Sequence, residues 1–127
     1  MPAEGLVLGA QVAHIHHVRF AWLRYNAPSL VSGMTRFEKG ASPSKSELKK
    51  ALRASGQAVE GLLRRALSGE ATIKSFKRQP IRWLGYLISH DSHHRGQIAL
   101  ALKQSGMRLP QEIAIRGLWQ EWYWGKE

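Results

Sequence analysis

The chain has 127 residues with a hydrophobic share of 43%, enough for a single domain over 1–127 with one core. It contains no cysteine, which excludes a disulfide framework and a thiolate metal site and agrees with a reducing cytoplasm. Its net charge of +10 permits an anionic ligand, while the lack of a signal-peptide pattern or of an apolar run near the roughly 20 residues of a membrane span predicts a cytoplasmic protein with no membrane contact.

Periodicity predicts a first helix over about 4–26, with Leu8, Ile15, Val18 and Trp22 on one side and Pro28 just beyond its end. A loop rich in Gly, Ser and Pro follows over about 27–43. Ser44 and Glu47 have capping-box spacing and open a second helix. Leu48, Leu52, Ser55, Val59, Leu62 and Ala66 alternate in steps of four and three along it, and Gly69 stops it. A basic linker over about 69–79 leads to Pro80, suited to a helix start, and the third helix runs to about Ser105 with Gly106 as its stop. Beyond Pro110, a helical segment over about 111–124 carries Trp119, Trp122, Tyr123 and Trp124. No strand signal is present, so the expected class is all-α.

All six histidines fall in two short stretches, Ala13-His14-Ile15-His16-His17 and Ser89-His90-Asp91-Ser92-His93-His94. His90 and His94 are i and i+4, so their rings share one helix face. With His90 set at zero, Trp83, Leu84, Leu87, Ile98 and Leu102 spread over an arc of about 20–120° that includes His94. On the first helix His14 falls at the edge of the corresponding arc. His16, His17 and His93 fall outside these arcs and are expected to be exposed or to stand behind the others. Thus His14, His90 and His94 are the candidate ligands of one metal ion, with coordination positions left open for chemistry. The alternative is a set of core-edge histidines hydrogen-bonded to backbone or carboxylate.

His90-Asp91-Ser92-His93-His94 has the outline of the H-E-x-x-H metalloprotease motif, with the shorter aspartate in place of glutamate. Asp91 falls within the apolar arc, where a carboxylate needs a partner. Arg95, four residues on, is the expected one; a role for Asp91 as catalytic base is the other reading. Gln97 lies on the His90 side of the wheel and is expected to hydrogen-bond behind the ligands. Gly85, Ser89, Ser92, Gly96 and Ala99 form a strip of small residues on the opposite face, suited to close helix approach.

His90-x-x-x-His94-Arg95-Gly96-Gln97-Ile98 resembles the H-x-x-x-H-R-G-Q-I signature of the DinB/YfiT-like superfamily of damage-inducible, metal-binding helical proteins. His14-Ile15-His16-His17-Val18-Arg19-Phe20-Ala21-Trp22-Leu23 looks like that family's first ligand helix, and Gly106-Met107-Arg108-Leu109-Pro110 with Leu118-Trp119 looks like its ending. The resemblance implies an up-down-down-up four-helix bundle, a zinc or nickel ion on His14, His90 and His94, and homodimers. Characterised relatives include thiol S-transferases acting with low-molecular-weight thiols and a maleylpyruvate isomerase. The family usually has a complete helix before the one bearing its first histidine; here the bundle lacks that helix or the chain start is misassigned.

The expected function is therefore a metal-dependent thiol S-transferase or hydrolase, with an anionic thiol or carboxylated small molecule as substrate. No catalytic acid or base is assigned, although His93 and Asp91 are able to move protons. One alternative is a metal-binding stress-response protein without turnover. Another is a basic nucleic-acid-binding module, suggested by the charge and by clusters such as Lys74, Lys77, Arg78 and Arg82; no base-reading motif accompanies them.

Overall fold

At the start of the second helix, Ser44 Oγ accepts from the Glu47 amide at 3.1 Å and the Ser44 amide donates to Glu47 Oε2 at 2.6 Å. This reciprocal cap satisfies two otherwise orphaned backbone donors. In the computed structural model, which describes residues 4–120 and Tyr123, it opens α2 (Lys45–Leu67). Before it stand α1 (Glu4–Asn26) and a short turn at Pro28–Val31; after it come α3 (Pro80–Gln104) and α4 (Glu112–Gln120), the last wound with π-helical spacing. Among the described residues there is no strand, and no helix is long and apolar enough to cross a membrane. Trp122 and Trp124 lie outside the described residues, and Trp119 is exposed.

Both predicted glycine stops act by the same device. Gly69 and Gly106 take φ of +82° and +81°, a region costly for side chains with a Cβ. The Gly69 amide then bonds Ala66 O and the Glu70 amide bonds Arg65 O; Gly106 and Met107 repeat the pattern on Lys103 O and Leu102 O. These Schellman closures satisfy the last carbonyls of α2 and α3.

The chain divides into two compact units, Met1–His94 and Arg95–Glu127. The second holds the end of α3 and α4. The first is built around Leu23, Leu62, Leu63, Ile73, Trp83 and Leu87, contributed by all three long helices and the α2–α3 connection. On α2 the buried stripe is centred on Ala51, Ser55, Leu62 and Leu63, while Leu48, Leu52, Val59 and Ala66 flank it half-buried. The predicted stripe is therefore right in period and slightly off in its axis.

α1 departs further from its predicted one-sided burial. Leu23 on one side and His16 on the other are both fully buried, and Ile15 and Phe20 are nearly so. Apolar residues surround this helix, and the segment after Ser32 covers the side that a single apolar arc leaves open. At its end, Asn26 Nδ2 donates to Trp22 O and Ser75 Oγ, each at 2.9 Å, while Asn26 Oδ1 accepts from the Lys74 and Ser75 amides at 2.6 and 3.2 Å. This buried amide ties α1 to the α2–α3 connection and satisfies that connection's backbone.

Immediately beyond, Phe76, Lys77 and Arg78 all have positive φ, at 50°, 54° and 59°. Such a turn costs roughly 1–2 kcal/mol per non-glycine residue. The Phe76 ring is held between Trp22 and Tyr86, with centroids 4.8 and 5.0 Å away, and this packing offsets the strain.

Candidate metal centre

His14 projects from α1, and His90 and His94 from successive turns of α3. One ring nitrogen of each lies within 4.8 Å of the other two. The His14 and His90 Nε2 atoms are 3.3 Å apart. Two nitrogens, each about 2.0–2.1 Å from one tetrahedral ion, are separated by about 3.3–3.4 Å, so this edge is the length a common ion requires. His14 is exposed, and His90 and His94 are half-buried. The donor set is three imidazoles on two helices with one side open to solvent, a chemistry that fits a divalent ion.

The surroundings orient two of these rings. His94 Nδ1 donates to Gln11 Oε1 at 2.6 Å, which leaves its Nε2 lone pair as the ligating position. His90 is stacked on Tyr86 with a centroid separation of 5.8 Å and an interplanar angle of 23°. Its Nδ1 faces Asp91 Oδ1 at 3.7 Å, beyond hydrogen-bonding reach yet close enough for electrostatic attraction. Burial, and secondly the neighbouring His94, hold His90 below the ordinary histidine pKa even though Asp91 opposes them. The balance of these effects favours the neutral His90 ring, the form a metal requires.

Asp91 is not paired with Arg95 as the i,i+4 spacing suggested. Its Oδ2 accepts from Arg19 Nη2 at 2.6 Å, and the same guanidinium donates through Nη1 to Leu52 O at 3.2 Å. Arg19 thereby joins α1 to both α2 and α3. A bond across helices is better here because the Asp91 side chain turns toward α1, where a cation is already held in a half-buried position.

The other histidines also differ from expectation. His16 is fully buried, and its Nε2 donates to the Thr35 carbonyl at 2.6 Å. His17 is half-buried and its Nε2 accepts from the Phe37 amide at 3.1 Å. Neither stands behind the three-histidine cluster; both pin the segment that follows Ser32. His93 is exposed, as expected. Gln97 is exposed, and the amide that meets a cluster histidine is Gln11, one helical turn before His14. Gln11, Arg19 and Tyr86 were the residues missed by reading the sequence. Tyr86 had a usable signal, standing four residues before His90; the other two require the helices to be docked.

An all-helical chain that gathers three histidines from two helices in this way defines a class of protein. The chain belongs to the DinB family, whose family model matches residues 4–124. Neither the curated proteins nor the solved structures yield a match to it.

Proposed function

We propose that this chain is a divalent-metal-dependent enzyme, a thiol S-transferase or hydrolase, acting in the cytoplasm. The observation that carries this reading is the convergence of His14, His90 and His94 with one side open. These three residues would hold the ion, with zinc or nickel best suited to an all-imidazole donor set. When bound, such an ion supplies Lewis acidity that lowers the pKa of a thiol or water beside it. The chain's own residues aim the donors: Gln11 holds the His94 tautomer, Tyr86 fixes the His90 plane, and Arg19 holds Asp91 beside His90. Asp91, with one oxygen taken by Arg19, is better placed to orient His90 than to take a proton from substrate.

We also read residues 1–127 as one up-down-down-up bundle domain that forms a homodimer. Ile81, Gly85, Ile88 and Ser92 follow one another at steps of four, three and four on α3, and all four are exposed. A stripe of small and apolar residues of this kind suits helix-to-helix contact between subunits.

The test of the enzymatic reading is metal analysis of the purified protein followed by a screen with low-molecular-weight thiols and electrophilic acceptors, before and after chelation. Turnover that disappears with the metal and returns on its readdition supports the reading. A protein that holds its ion fully yet turns over none of the thiol or hydrolytic substrates is a metal-binding protein without this activity.

A further inference from the structure

A cleft of about 760 Å³ opens along α1, between that helix and the segment that precedes Ser44. Its volume is in the range of about 300–1,000 Å³ typical of small-molecule sites. Its far wall is anchored: His16 holds the Thr35 carbonyl and His17 holds the Phe37 amide, so two backbone groups of the wall are bonded to the helix that forms the floor. Phe20 and Phe37 give the cleft an apolar interior. Around them stand Arg24, Arg36 and Lys39 against one carboxylate, Glu38. Among the described residues none of these three cations takes part in an ion pair. The Arg36 guanidinium lies over the Phe20 ring, 5.3 Å from its centroid, which holds the charge beside the apolar surface. His14 also lines the cleft, so one residue belongs to both the cleft and the three-histidine cluster.

We propose that this cleft binds a small organic anion with an aromatic or branched apolar body, its acid group met by Arg36 with Arg24 and Lys39, and its far end directed to His14. The apolar body is recognised by Phe20 and Phe37, and the acid by a guanidinium that forms no ion pair among the described residues. A neutral molecule of the same shape gains the first contact and not the second. The direction toward His14 rests on the reading of the histidine cluster as the reactive centre; the recognition of the anion does not.

The experiment measures binding of 4-phenylbutyrate and of its neutral counterpart 4-phenylbutan-1-ol by isothermal titration, with the imidazole NMR signals followed in parallel. The full chain is used as wild type, Arg36→Gln, Lys39→Gln and His90→Ala. The acid is expected to bind wild type about tenfold more tightly than the alcohol, the yield of one charge-assisted hydrogen bond. Arg36→Gln should bring the two ligands together, and Lys39→Gln should narrow the gap and serves as the test should Arg36→Gln not fold. His14 signals should shift on titration with the acid. Since His90 does not line the cleft, His90→Ala should lose metal and keep the acid's advantage, which separates failure of the cleft from failure of the metal reading. Equal affinities for acid and alcohol in wild type, or an acid advantage that survives the loss of the basic side chains, overturns the proposal.

Discussion

Arg19 and Asp91, 72 residues apart in sequence, meet at 2.6 Å between α1 and α3. Their side chains retain 20% and 32% of their full exposure, so the pair is neither a solvated surface bridge nor a fully desolvated one. A coupling of about 1–3 kcal/mol is expected, between the ranges measured for exposed and buried pairs. A double-mutant cycle of Arg19→Met and Asp91→Asn, followed by urea unfolding, reads it directly; a coupling below about 0.5 kcal/mol would leave the contact without structural weight. Because Asp91 Oδ1 also faces His90, Asp91→Ala should weaken metal binding, which metal titration of the variant against wild type checks.

One divalent ion per chain is expected, and His14→Ala, His90→Ala or His94→Ala should each remove it. His16→Ala is the control. Full burial and its bond to Thr35 predict a loss of about 2–4 kcal/mol of stability with the ion retained. Elemental analysis and melting curves on the four variants check this. Intact metal content in the His90 and His94 variants would sink the site.

His17 and His90 are both held below the ordinary histidine pKa, chiefly by burial; His16, Arg36 and His14 add repulsion at His17. A histidine whose folded pKa lies below its unfolded value of about 6.5 takes up its proton more readily in the unfolded chain. Its contribution to stability is complete above that unfolded value and is lost as pH falls through the folded one. The metal-free protein should therefore weaken as pH is lowered from neutral, and protonated His17 can no longer accept from the Phe37 amide. Urea midpoints across this interval in wild type and His17→Gln provide the measurement: the slope should shrink in the variant, and equal slopes would remove His17 from the account.

Lys77 is exposed in the middle of the left-handed turn, with φ of 54°. Lys77→Gly relieves the steric cost of that conformation and adds chain entropy to the unfolded state, so a net gain of about 0.5–1 kcal/mol is expected. Since the side chain is exposed, little else changes. A destabilised Lys77→Gly variant would mean that the turn is not strained.

The small-residue stripe on α3 makes a prediction about mass. Among the described residues nothing within 4 Å would meet a Cβ at Gly85, so Gly85→Glu should leave the protomer folded and place a charge in the middle of the proposed interface. Sedimentation equilibrium should give a dimer for wild type and a monomer of 14.3 kDa for the variant. A wild-type monomer with its ion bound would end the dimer reading.

Whatever rests on neighbours in sequence was determined by the sequence alone. The Ser44–Glu47 cap, the glycine stops at Gly69 and Gly106 and the shared face of His90 and His94 involve atoms within a few residues, and helix geometry dictates them. The wheel of α1 put His14 only at the edge of its arc and misplaced His16, so the third member of the cluster rested also on the family resemblance.

Tertiary structure decided the rest. α1 has apolar side chains around its whole circumference, so its wheel offers no unique inward face, and only the closing of the segment after Ser32 buries His16. The local rule offered Asp91 a partner at Arg95, but docking of α1 on α3 supplied Arg19 and gave the carboxylate a cation in a half-buried place. Gln11 reached His94 for the same reason, across 83 residues. Hydrogen bonds between helices depend on rotation and register, which follow from how whole faces pack, and no spacing within one helix encodes them.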